Sequence, residues 1–86
     1  MKAAVLYEIK APLQMEHFTL PDILPDQVRV RLVASGVCHY DWHVIKGDWP
    51  HIPVPTILGH EGAGIVEEVG EKVGHVRKGD HVVLSW

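Results

Sequence analysis

"QVRVRLVASGVCHYDWHVIKG", residues 27–47, changes its period halfway along. Through Ser35 apolar and polar residues alternate, with Val28, Val30 and Leu32 on one face and Arg29, Arg31 and Val33 on the other. That two-residue period predicts a half-buried strand, which delivers the chain to Gly36 and to the only cysteine, Cys38. Beyond it, Asp41 is placed to cap one or two helical turns through "WHVIK", which Gly47 ends.

Working outward, the rest of the chain also reads as strands parted by turns. "KAAVLYE" (2–8) is a strand candidate and "PDILPDQ" (21–27) a proline-punctuated loop. "PHIPVPTIL" (50–58) is excluded from the centre of a sheet, because its three prolines remove ladder donors. "GAGIVEEVG" (62–70) resumes strand character, and "RKGDHVVLSW" is a turn followed by a strand. The expected architecture is one mostly β domain over residues 1–86, a partly closed barrel with one short helical segment.

With 86 residues, 47% hydrophobic and 22% charged, the chain can fold around a modest core. A domain of this size buries roughly 60 to 65% of its unfolded surface, so its stability is expected to be thin. The formal charge of −3 supplies no basic stripe, which argues against nucleic acid as a partner. No apolar run approaches the ~20 residues of a membrane span. The apolar run in "MKAAVLYEIK" is broken by Glu8 and does not make a secretory signal, so a cytoplasmic location is expected. One cysteine cannot make an internal disulfide, which leaves Cys38 as a free thiol, a metal ligand or a small buried hydrophobe.

Further along, "GHEGAG" sets His60 and Glu61 among Gly59, Gly62 and Gly64, which allow unusual dihedrals and close backbone approach. A thiolate, an imidazole and a carboxylate together suit zinc, which takes S, N and O ligands at ~2.0 to 2.3 Å. Asp41 is the natural carboxylate to accept the second ring N–H of a liganding histidine. Taken singly, His39, His43, His51, His75 and His81 read as surface or packing residues. Glu67, Glu68 and Glu71 read as a solvated face.

Read together, "GVCHYDWH", "GDWP", "ILGHEGAGIVEEVG" and "VGHVRKGDHV" closely resemble the N-terminal, GroES-like catalytic domain of zinc-dependent alcohol dehydrogenases of the medium-chain dehydrogenase/reductase superfamily. The resemblance runs over nearly the whole chain. It implies that Cys38, His60 and Glu61 are zinc ligands, with Asp41 behind the ligand histidine. It also implies that His39 meets the pyrophosphate of NAD or NADP, that His43 ends a proton relay, and that Trp49 walls the substrate pocket. Tyr40 departs from the pattern, standing where the family usually has the Ser or Thr that receives the alcohol proton. A phenol also donates and accepts, but its oxygen lies farther from the backbone.

The family continues into a structural-zinc lobe, a third catalytic cysteine and a Rossmann domain, and no G-x-G-x-x-G follows a strand in these 86 residues. The resemblance therefore implies an incomplete domain whose parent interconverts alcohols and aldehydes, and which is inactive by itself. Apolar surface left uncovered around Trp42, Trp49 and "VVLSW" is expected to favour self-association or a homo-oligomer. Two rival readings stand beside this one. The first is a non-catalytic GroES-like binding module, for which the Cys38, His60 and Glu61 trio would have no use. The second is a zinc-free quinone or enone reductase of the same superfamily, which Cys38 and His60 argue against.

Overall fold

The computed structural model describes residues 1–85. Its strands are β1 (Lys2–Leu6), β2 (Gln14–His17), β3 (Val28–Ser35), β4 (Thr56–Ile57), β5 (Gly62–Val69) and β6 (His81–Leu84). The single helix among the described residues, α1 (His39–Ile45), lies between β3 and β4. The protein is mostly β, and its strands form two three-stranded sheets, neither of which closes on itself. The chain divides into two compact units, each discontinuous in sequence: Met1–Leu20 with Val37–Gly59, and Pro21–Gly36 with the segment from His60 onward.

In the first unit β1 is the central strand, antiparallel to β2 on one side and to β4 on the other. Its last residues, Val5 and Leu6, are buried, and Val44 of α1 is their buried counterpart in the helix. The proline-rich stretch contributes only the two-residue β4, and it does so at a sheet edge, where missing donors cost least. Strand β2 has no predicted counterpart. "QMEH" carries no apolar alternation and owes its conformation to its pairing with Lys2–Val5.

In the second unit β5 is central, antiparallel to β3 and β6. The alternation expected of residues 27–35 holds only in part. Val28 and Val30 are half-buried, but Leu32 is 56% and Val33 66% exposed. The cause lies in the ladder: Leu32 pairs with Gly64 and Ala34 with Ala63, so Val33 is an extra residue in the register. A bulge of this kind interrupts the two-residue period and turns the following side chains. A second shift, between Arg29↔Glu68 and Val30↔Val66, does the same at Glu67 on β5. The glutamates read as a solvated face are exposed, and two of them pair across the sheet, Arg29 with Glu68 at 3.3 Å and Arg31 with Glu67 at 3.7 Å. Exposed pairs like these contribute little to stability.

Gly64 explains why β3 and β5 can pair so closely: a Cβ there would lie 2.2 Å from the carbonyl oxygen of Arg31. The proline-rich 21–27 loop is tied down through its backbone. Gly70 N–H donates to Gln27 O at 2.8 Å and Lys72 N–H to Pro25 O at 2.8 Å, which satisfies two of the loop's carbonyls.

Candidate functional site

Cys38 follows β3 by three residues and is the N-cap of α1, in extended conformation and half-buried. Asp41 is therefore not the cap itself, as the sequence suggested, but the third residue of the first helical turn. Its Oδ2 accepts the Cys38 N–H at 3.3 Å, while its own N–H donates to Cys38 O at 3.0 Å. The carboxylate's bond is the N3 side-chain half of a capping box, with Cys at the cap in place of Ser or Thr, and it places a carboxylate beside the N-terminus of the helix. It holds the Cys38 backbone and the Asp41 side chain in fixed relation.

The helix also carries His39, Tyr40 and His43, and its C-terminal end turns sharply at Gly47, where φ is +85°. No bulkier residue fits there, since a Cβ would meet Ile9 Cγ2 at 2.7 Å. After this turn the chain doubles back over the helix. Asp48 N–H donates to His43 O at 3.0 Å, and Trp49 comes to lie against two rings of α1. The ring centroids of Trp49 are 4.7 Å from those of both Tyr40 and His43, and His39 meets His43 edge-on at 4.6 Å. Four of the sequence-predicted residues, His39, Tyr40, His43 and Trp49, thus form one aromatic cluster within the first unit.

One member of this cluster region was not anticipated. Asp48 Oδ2 lies 2.7 Å from His43 Nδ1 and 3.2 Å from Lys46 Nζ. The His43 hydrogen bond, and after it Lys46, holds the Asp48 carboxyl below its ordinary range. The signal in the sequence was "GDWP" itself, a glycine turn that brings the next residue back onto the helix.

His60 and Glu61 belong to the second unit, immediately before β5. Gly59, preceding them, has φ of +125°, a region that disfavours side chains. The neighbouring Gly62 and Gly64 serve close approach rather than unusual dihedrals: a Cβ on Gly62 would sit 3.1 Å from Leu32 Cδ2. A ring nitrogen of half-buried His60 and a carboxylate oxygen of exposed Glu61 come within 4.8 Å of each other. Both residues line a groove of about 640 Å³ together with Ser35, Gly36 and Leu84. Within this lining Gly36 N–H donates to Glu61 O at 2.8 Å.

Two small sheets, a helix of about two turns capped by the cysteine, and a Gly-His-Glu-Gly segment leading into a strand together define a GroES-like β domain. Residues 24–86 match the model of the alcohol dehydrogenase GroES-like domain, and the chain belongs to that family. It is 49% identical, over its whole length, to an alcohol dehydrogenase of Geobacillus stearothermophilus, and 48% identical over 99% of its length to an S-(hydroxymethyl)glutathione dehydrogenase of Candida maltosa. It spans 26% and 22% of those two proteins. Among solved structures, benzyl alcohol dehydrogenase from Acinetobacter calcoaceticus superposes with a TM-score of 0.93 at 40% identity, over 99% of this chain and 23% of that one. The apo form of zinc-dependent alcohol dehydrogenase 2 from Streptococcus pneumonia gives 0.87 at 44% identity, over 99% and 24%. No helix among the described residues is long and apolar enough to cross a membrane.

Proposed function

We propose that this chain is the metal-binding portion of a zinc-dependent alcohol dehydrogenase that interconverts alcohols and aldehydes with NAD or NADP, and that Cys38, His60 and Glu61 hold the zinc. The observation that carries the reading is the Gly36–Glu61 hydrogen bond. It fixes, on one rung of the second unit, the residue that precedes Cys38 by two and the residue that follows His60 by one. At ~3.8 Å per residue, chain connectivity then keeps the three candidate ligands in one neighbourhood. The donor set fits the ion, since a thiolate, an imidazole and a carboxylate are the groups zinc takes.

When bound, zinc polarises an alcohol oxygen and makes its proton easier to remove. The remaining work falls to the chain. Asp41 orients the ligand histidine, while Tyr40 and Trp49, ring against ring, form a wall that restricts the substrate to small alcohols. With Tyr40 in place of the usual Ser or Thr, the phenol supplies the hydroxyl nearest the alcohol, and His43 passes the proton toward solvent. His39, exposed at the start of the helix, is available to the cofactor's pyrophosphate.

Cobalt(II) provides the test, because thiolate ligation gives a charge-transfer band in the near ultraviolet. The chain is expected to develop that band on titration, more strongly at higher pH as the ligands lose protons. Cys38→Ser should abolish the band and His60→Ala should weaken it severalfold. A spectrum unchanged by either substitution would overturn the assignment.

A further inference from the structure

We infer that Asp48 is a positioning residue that holds His43 as the Nδ1–H tautomer and leaves Nε2 as the proton-accepting atom. The inference deepens the proposed function, from which it takes only that His43 receives a proton. At 2.7 Å from a carboxylate oxygen, an Nδ1 bearing a lone pair would be repelled, so Nδ1 donates to Asp48 and the lone pair falls on Nε2. The carboxylate is itself fixed at three points. Its backbone N–H is tied to the His43 carbonyl, Lys46 Nζ meets the same Oδ2 at 3.2 Å, and the turn at Gly47 sets the direction of approach.

The ring cannot easily swing away, because Trp49 lies on one side at 4.7 Å and the His39 edge on another at 4.6 Å. Of the titratable groups around His43, Asp48 is bonded to it, Lys46 shares the same carboxylate oxygen, His39 meets its ring edge-on, and Tyr40 lies against the same Trp49 ring. The same hydrogen bond, and after it Lys46, holds the Asp48 carboxyl below its ordinary range, so the acceptor is an anion at neutral pH. With Nδ1 occupied as the donor, the lone pair that must accept a proton lies on the nitrogen turned away from Asp48.

The tautomer can be read from long-range ¹H–¹⁵N correlations of ¹⁵N-histidine-labelled chain, at a pH where the ring is neutral and with His43→Gln for assignment. Wild type is expected to show His43 predominantly as Nδ1–H. Asp48→Ala should move it to predominantly Nε2–H, the form free histidine prefers. Asp48→Asn, which keeps the shape but not the charge, should move it part of the way, and is read instead if the alanine variant loses its dispersed amide spectrum. A wild-type ring already in the Nε2–H form, or a folded variant with an unchanged tautomer, would overturn the inference. The measurement needs neither metal nor alcohol, so a failed cobalt titration with the expected tautomers would sink the proposed function and leave this inference standing.

Discussion

The N–H of Gly36 donates to the carbonyl of Glu61 at 2.8 Å, and the space a side chain would take at Gly36 is filled by Glu61 itself. One glycine thus serves both the backbone of the groove and the carboxylate that lines it.

A Cβ added at Gly36 would lie 3.1 Å from Glu61 Oε2 and 3.3 Å from Glu61 Cβ. The oxygen can rotate away, but the Cβ is fixed by the strand that follows. Gly36→Ala is therefore expected to cost about 1 kcal/mol in stability, at the low end of overpacking, and to turn the carboxylate out of the groove. A lower denaturation midpoint at unchanged m-value, with weaker cobalt binding, checks both halves. Retention of full metal affinity would separate Glu61 from the ligand set.

Gly64→Ala should be far more damaging. Here the obstacle is the Arg31 carbonyl oxygen at 2.2 Å, which is backbone and cannot give without parting β3 from β5. A loss of about 3 kcal/mol or more is expected. The comparison is Gly79→Ala, where φ is +93° but nothing lies within 4 Å, so only backbone strain of about 1 to 2 kcal/mol applies. Thermal unfolding of the two variants should rank them in that order.

Acid should expose the His43–Asp48 contact. The folded-state pKa of Asp48 is lowered from 3.8, so near and below that value the unfolded chain binds more protons than the folded one. The contribution is fully present above pH 3.8 and is lost as pH falls through the depressed value. Asp48 is 43% exposed, so the effect is small and screened by salt. Asp48→Asn should therefore lower stability slightly and evenly above about pH 4, and its difference from the wild type should close as the pH falls below that. A profile as steep as that of the wild type would exclude Asp48 from the acid transition.

The 86 residues supplied with zinc, NAD and ethanol or benzyl alcohol are expected to produce no NADH above the protein-free control. Hydride transfer needs the alcohol carbon held against the nicotinamide in near-attack geometry, and no strand here leads into a glycine-rich pyrophosphate grip. Turnover that disappears in Cys38→Ala would contradict this.

The parts of the fold that sequence reading recovers are those whose signal is local. The alternation of Val28 and Val30 marks β3, the small and β-branched run of residues 62–69 marks β5, and prolines 50, 53 and 55 confine β4 to an edge. Strand β2 escaped because its pairing with β1 is all that makes it a strand, and nothing in "QMEH" announces a partner. Among candidate site residues, Cys38, His60 and Glu61 could be singled out from the sequence because a thiol, an imidazole and a carboxylate together suit zinc. Asp48 was not, because its link to His43 spans five residues, outside the i, i+4 spacing of a helix face, and exists only through the turn at Gly47. The displaced role of Asp41 has a similar cause: the helix starts at His39, so an aspartate that looked like a cap is already inside the first turn.

The interleaving of the two units bears on how the chain is made. Strand β3 leaves the ribosome before β5, its one partner among the described residues, has been synthesised, because residues 37–59 belong to the other unit and come between them. At 5–20 residues per second that delay is on the order of seconds, during which both edges of β3 and the apolar side chains of Leu32 and Val33 are unpaired. The first unit, by contrast, has all its strands once Ile57 has emerged. Arg29 and Arg31, which later pair with Glu68 and Glu67, then have an earlier duty as charges within a nascent hydrophobic strand, keeping it from joining its neighbours on a polysome.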